Sequence, residues 1–179
     1  MRASQVVVAT GYATREFKPL IGRFRMLNTY VVATRRVTAL ERRAIGLGDV
    51  MIWDTARPYH YARWTADRRL IFGGGDRPRV TGRGRVRAFR QGVADLRRHF
   101  DKLLPPLAAI ESAYAWEGLF ATTPDGLPYI GAHPEYPRHL FALGYGGNGM
   151  TFGFLAARLL LDRYRRGRSS ADRLFAFDR

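Results

Sequence analysis

LFALGYGGNGMTFGFLAARLL, residues 140–160, is the stretch on which the fold turns. Leu140 to Leu143 reads as a short strand, and Met150 to Arg165 as a helix whose first three turns are apolar nearly all round, hence buried. Its last turn, Arg163 to Arg168, is basic and solvated, as suits a helix C-terminus. Between strand and helix, Gly144-Tyr145-Gly146-Gly147-Asn148-Gly149 fits G-x-G-x-x-G. A dinucleotide fingerprint needs a further parallel strand ending in a ribose-binding acid. Too little chain follows the helix to supply it, and the nearest acids, Asp172 and Asp178, lie in a short tail. What survives is the physics of the turn. Glycines let backbone N–H groups approach a flat or anionic ligand, and the helix start presents unpaired N–H groups. A tight strand–helix turn without a ligand satisfies the same spacing.

Working outward, Gln5 to Thr10 is an apolar run ending at Gly11, expected as a parallel strand buried on both faces. Since no helix or partner strand precedes it, the chain is expected to begin in the middle of a fold. Arg23 to Arg35 is β-rich, and Val50–Thr55, Tyr59–Thr65 and Arg69–Phe72 follow as short strands of an antiparallel meander. Arg83 to Leu104 is the clearest helix. Val86, Phe89, Val93, Leu96, Phe100 and Leu103 fall at helical spacing on one face, and Pro105-Pro106 ends it. Ala109 to Thr122 returns to strand character, Asp125-Gly126 marks a turn, and Leu127 to Gly131 is a further strand. The fold class is therefore α+β: a mixed or antiparallel sheet with a packed helix, plus a terminal strand and a C-terminal helix.

The 179 residues carry a net charge of +15, and 28 of the 30 basic residues are arginine. The arginines are scattered, and the densest run (Arg77, Arg79, Arg83, Arg85, Arg87, Arg90) has only Phe89 interleaved. Single-strand binding wants more aromatic platforms than that, so the charge reads as solvated faces and not as a nucleic-acid surface. There are no cysteines, which excludes disulfides and cysteine metal sites and fits a reducing compartment. Residues 1–10 lack a basic leader followed by an apolar run, and no apolar stretch is long enough to span a bilayer. A cytoplasmic protein without membrane contact is expected. His60, His99, His133 and His139 show no metal spacing and read as surface or turn residues; no metal is expected. Gly73-Gly74-Gly75-Asp76 reads as a strand-end loop or, alternatively, a phosphate-holding one, though no helix starts right after it, and Glu117 as a solvent-facing strand residue or, alternatively, a general base.

Six segments in order resemble the C-terminal half of the D-amino acid oxidase-like FAD oxidoreductases, on the glycine/sarcosine oxidase and gamma-glutamylputrescine oxidase branch. They are VVVATGY (6–12), TYVVATR (29–35), WDTARPYHYAR (53–63), RLIFGGGD (69–76), YAWEGLFATTPDGLPYIG (114–131) and the stretch quoted first. The resemblance implies FAD as cofactor and oxidation of a C–N bond in a small amine or amino acid by hydride transfer to flavin. It implies that Thr10 and Gly11 lie by the cofactor's ADP half. Gly146, Gly147, Asn148, Gly149, Met150 and Thr151 would lie against the flavin's pyrimidine side, with Gly144 also a cofactor-binding residue. Tyr59, Tyr61 and Arg63 would line the substrate roof, with Phe120 and Tyr145 also on the substrate side; no residue is assigned as catalytic.

The implied domains are 1–20, a terminal strand of an incomplete FAD-binding domain; 21–139, the substrate (cap) domain; and 140–179, the flavin-facing turn and C-terminal helix. The family's N-terminal G-x-G-x-x-G unit and its ribose-binding acid are not in this sequence. A separate N-terminal FAD-binding half is the implied partner, without which the chain is expected to be inactive. Glycine oxidase-like members carry arginines at two positions occupied here by Phe120 and Gly147. A bidentate carboxylate clamp is missing there, which points toward amines or larger substrates unless Arg63 substitutes. The alternative reading is a non-catalytic remnant or a basic nucleic-acid-binding module. An upstream G-x-G-x-x-G unit would decide for the enzyme.

Overall fold

The computed structural model describes residues 3–167 and 170–179. Arg168, expected in the basic last turn of the C-terminal helix, lies outside them. The chain forms two compact units: residues 1–27 with 120–179, and residues 28–119. The sequence boundaries at 20/21 and 139/140 differ from these, because the segment from Phe120 to His139 groups with the first unit.

The first unit is built on a three-stranded sheet in the order β1 (Val6–Gly11), β8 (Tyr136–Leu143), β7 (Tyr129–His133). β1 runs parallel to β8, with Val7 opposite Leu140 and Gly11 opposite Leu143, and β7 is antiparallel to β8. Alternation along β8 sends Phe141 and Leu143 into one cluster with Val8, Leu20, Tyr129 and Phe177. Leu140 and Ala142 enter another with Ile130 and two residues of α4 (Gly149–Arg166), Ala156 and Leu160. The strand buried on both faces is thus β8 and not β1. β1 is an edge strand, with Val6 44% and Val7 59% exposed. α4 also departs from expectation. It buries one stripe, while Met150 is 92% exposed and Phe154 lies open. A short α1 (Lys18–Ile21) contributes Leu20 to the core.

The second unit has a five-stranded sheet in the order β3 (Met51–Trp53), β4 (His60–Trp64), β5 (Leu70–Pro78), β2 (Arg25–Thr34), β6 (Ser112–Thr122). β3, β4 and β5 form the expected antiparallel meander. On one face Tyr30, Val32, Ala62, Trp64, Leu70 and Phe72 meet Leu96 and Phe100 of α3 (Arg85–Leu103). The centre of the predicted stripe is buried and its ends, Val86 and Leu103, are exposed. α2 (Ala39–Ile45) was not anticipated. A reciprocal cap between Thr38 and Glu41 starts it, and Gly46 in the left-handed region ends it.

Gly92 of α3 lies against the buried ring of Tyr30, so that an added Cβ would sit 2.6 Å from Tyr30 Cε1. Gly92→Ala gains about 1 kcal/mol of helix propensity. It also overpacks a closed contact, at a cost of about 1–3 kcal/mol. The expected net result is a destabilised protein by urea titration. A stabilised variant would show that Tyr30 moves freely.

Candidate functional site

Glycine conformation builds the turn between β8 and α4. Gly144 has φ +80° and Gly146 φ +56°, where other residues are strained. A Cβ on Gly144 would meet Thr123 at 2.8 Å and Phe24 at 2.9 Å. The turn is pinned at two points. The Gly144 N–H donates to the Gly11 carbonyl (2.8 Å) and the Gly146 N–H to the Ala121 carbonyl (2.9 Å). The first bond joins two residues the sequence singled out, with Thr10 beside them at the end of β1. The left-handed positions are Gly144 and Gly146, so the strain expected of the turn is carried there.

Beyond the pinned part, residues 147–151 are exposed. The first N–H groups of any α-helix lack an intrahelical acceptor. In α4 the Asn148 side chain makes no cap and the first turn holds no acid. Gly149 would carry a Cβ into open space. The arrangement is a helix N-terminus with its partial positive charge uncovered, suited to a group that gains negative charge. Tyr145 is half-buried, and its ring packs against the α4 cluster. Phe120 lies half-buried in β6.

The other group of candidates lies on the sheet face of the second unit that turns away from α3. Trp53 pairs across strands with Tyr61, and Met51 with Arg63. Tyr61 also pairs with Gly73. These side chains share one face by the pleat. Trp53 is 69% exposed, and the Tyr59 and Tyr61 rings lie 6.3 Å apart. The glycine run is not a loop but part of β5. Gly73 leaves the space that the Tyr61 ring fills, since a Cβ there would lie 2.5 Å from Tyr61 Cζ and Oη.

Sequence reasoning missed Asp76, which lies half-buried further along β5 and close enough to Tyr61 to act on its phenol. Burial raises its carboxyl pKa, against the pull of the Thr29 hydroxyl and of His60. Burial likewise raises the Tyr61 phenol, with Asp76 adding to the shift. The strand alternation that picked out Tyr59, Tyr61 and Arg63 does not reach across to β5, so no local pattern could reveal it.

Glu117 is neither solvent-facing nor poised as a base. Its carboxylate accepts from Arg85 Nε (2.7 Å) and Asn28 Nδ2 (2.6 Å), and the Arg85 bond chiefly holds its pKa down. The histidine reading also needs correction. His133 is a buried strand residue, 6% exposed. His60 and His99 stack at 3.9 Å beside Asp54, and the three offer ligand atoms within 4.8 Å of one another. Their distance in sequence hid this, because α3 carries His99 back to the β3–β4 hairpin.

The sequence model of FAD dependent oxidoreductases matches residues 1–163. The chain belongs to this family. Within it, glycine oxidase of Bacillus licheniformis is 37% identical over 71 residues, 40% of this chain and 19% of that protein. Gamma-glutamylputrescine oxidoreductase of Escherichia coli (strain K12) is 29% identical over 175 residues, 96% of this chain and 38% of that protein. The crystal structure of glycine oxidase from Geobacillus kaustophilus matches with a TM-score of 0.69 at 24% identity, over 94% of this chain and 43% of that one. At such identity the structural likeness shows the fold alone. This FAD oxidoreductase family chain spans less than half the length of these relatives. Among its described residues no helix is long and apolar enough to cross a membrane.

The uncapped α4 N-terminus and its glycine turn fit a flavin edge on physical grounds. They offer N–H donors, an unopposed dipole and no Cβ to hold the ring away. Gly146, Gly147, Asn148, Gly149, Met150 and Thr151 are the residues that would hold it.

Proposed function

We propose that this chain is the flavin-facing and substrate-facing part of an FAD-dependent enzyme that oxidises a C–N bond in a small amine or amino acid. The observation that carries the reading is the pinned glycine turn leading into an uncovered helix N-terminus. Bound there, the flavin supplies the hydride acceptor, and the protein positions what is oxidised. The α4 N-terminus would stabilise negative charge gained by the flavin. Gly11 and Gly144 hold that terminus in place through the β1–β8 pairing.

On the substrate side, Trp53, Tyr59 and Tyr61 present aromatic rings, which suit an organic cation. Asp76 adds the acidic group that attracts an ammonium and can take its proton at a carboxylate oxygen. Arg63, on the same face, suits an anionic group elsewhere on the substrate. Phe120 and Gly147, in place of arginines, leave small amino acids without a clamp at those two positions. The reading therefore favours amines and larger substrates over glycine.

The partner in this reading is a segment that supplies the ADP-binding strand–helix unit. The open edge and exposed valines of β1 support it. The test is reconstitution. The chain alone should lose FAD on gel filtration, and with the family's N-terminal segment supplied it should hold one flavin. That complex should oxidise alkyl amines or polyamines faster than glycine or sarcosine. A chain that keeps stoichiometric FAD by itself contradicts the partner, and faster turnover of glycine contradicts the substrate class.

Asp76→Asn separates binding from folding. A carboxyl whose pKa is raised in the folded state stabilises the fold below its ordinary pKa. That contribution is lost as pH rises through the folded value. At neutral pH the asparagine variant should be as stable as the parent or more so. Its kcat/KM for amines should fall about tenfold or more, the size of one lost charged contact. Unchanged kcat/KM would remove Asp76 from the substrate face.

A further inference from the structure

We propose that Asp54, His60 and His99 form a divalent-cation site of the Zn2+ class, clamping α3 to the β3–β4 hairpin on the face of the sheet opposite Tyr61. Two imidazoles and one carboxylate are a donor set that borderline cations accept, whereas Mg2+ and Ca2+ demand more oxygens. The spacing fits as well. Asp54 Oδ2 lies 3.3 Å from His99 Nε2 and 2.7 Å from His60 Nδ1, the latter a hydrogen bond that an ion would replace. Ligand atoms around a tetrahedral ion with bonds of about 2.0–2.1 Å stand roughly 3.3 Å apart.

The carboxylate is oriented from behind. Its Oδ1 accepts the Ala56 N–H at 3.1 Å and the His60 N–H at 2.8 Å, so that Oδ2 is turned toward the two imidazoles. Such backing bonds are what fix a metal-binding carboxylate in place. His99 Nε2 is the informative atom. It is buried and satisfies no hydrogen bond in spite of its approach to Oδ2. A buried nitrogen held only by this long approach is poorly satisfied, and an ion between the three groups would use it. The ring stack at 3.9 Å and 20° turns one nitrogen of each histidine toward the same oxygen. The frame is firm, since His60 and His99 both pack on Phe100, which is fully buried. With three protein ligands the ion would keep a fourth position for water.

None of the three ligands is among the proposed substrate-facing residues, and metal binding is read without activity. The full chain, stripped with chelator and dialysed, is titrated with ZnCl2. One equivalent should bind, and the melting temperature should rise by about 5 °C at saturating metal. Co2+ in its place should show the strong visible bands of a four-coordinate ion. Asp54→Asn and His99→Phe, the latter keeping the ring stack, should each lose the equivalent and the thermal shift. His139→Phe, in the other unit, should keep both. Should either variant fail to fold, X-ray absorption of the zinc-loaded parent decides, with two imidazoles in the shell expected. No stoichiometric zinc, a shell without imidazole, or folded variants that still bind would overturn the proposal.

Discussion

Gly74→Ala is expected to destabilise the protein by about 3–5 kcal/mol, a large share of the stability of an ordinary domain. Gly74 lies inside β5 at φ +128°, opposite His60. A side chain there is strained whatever the space. The space is also absent, because its Cβ would come within 2.8 Å of His60 Cα and closer still to the Tyr59 carbonyl. Both are backbone atoms at the start of β4, so relief requires that strand to move. Backbone strain of this kind costs about 1–3 kcal/mol by itself, and the clash adds to it. Urea denaturation of the full chain measures the loss. A cost below about 1 kcal/mol would mean that β4 and β5 are not paired in this register.

The neighbouring glycine should behave differently. Gly73 needs no unusual φ, and what its Cβ would strike is the far end of the Tyr61 side chain. Gly73→Ala should displace that ring at a cost of about 1 kcal/mol, since the side chain can swing toward the open face. Its effect belongs in substrate oxidation. Two adjacent glycines, one guarding the backbone and one guarding a ring, thus give opposite patterns of stability and activity.

How much of this was legible in the sequence varies with the kind of signal. The 3–4 spacing of Phe89, Val93, Leu96 and Phe100 located α3 because one face of that helix does all its packing. α2 escaped, although Thr38 and Glu41 carry the T-x-x-E pattern of a capping box, because so short a helix shows no periodicity. The β1 run Val6-Val7-Val8 reads as buried by composition. Which neighbours cover it is a tertiary fact, and here two of the three valines are exposed. The glycine turn was found by spacing, but its left-handed positions, Gly144 and Gly146, follow from the paths of β8 and α4. Asp76 and the Asp54–His60–His99 cluster were out of reach. Their partners come together through sheet register and helix packing, which no local pattern records.

The central claim, that the uncovered end of α4 faces the flavin, is tested most directly at Gly149, the first residue of that helix. Gly149→Asp adds a carboxylate where no atom lies within 4 Å of the new Cβ. On helix grounds alone it is favourable, since an acid in the first turn gains about 0.3–1 kcal/mol from the dipole. If the helix end meets an electron-accepting ring, the same charge opposes the charge that the ring gains. The measurement is the rate of anaerobic flavin reduction by an amine substrate in the reconstituted complex, with the melting temperature taken alongside. The expected result is an unchanged or higher melting temperature together with flavin reduction slowed about tenfold or more, a penalty of roughly 1.4 kcal/mol on the step. Flavin reduction at the parent rate in a folded, flavin-loaded Gly149→Asp complex would contradict the placement of the cofactor at this turn.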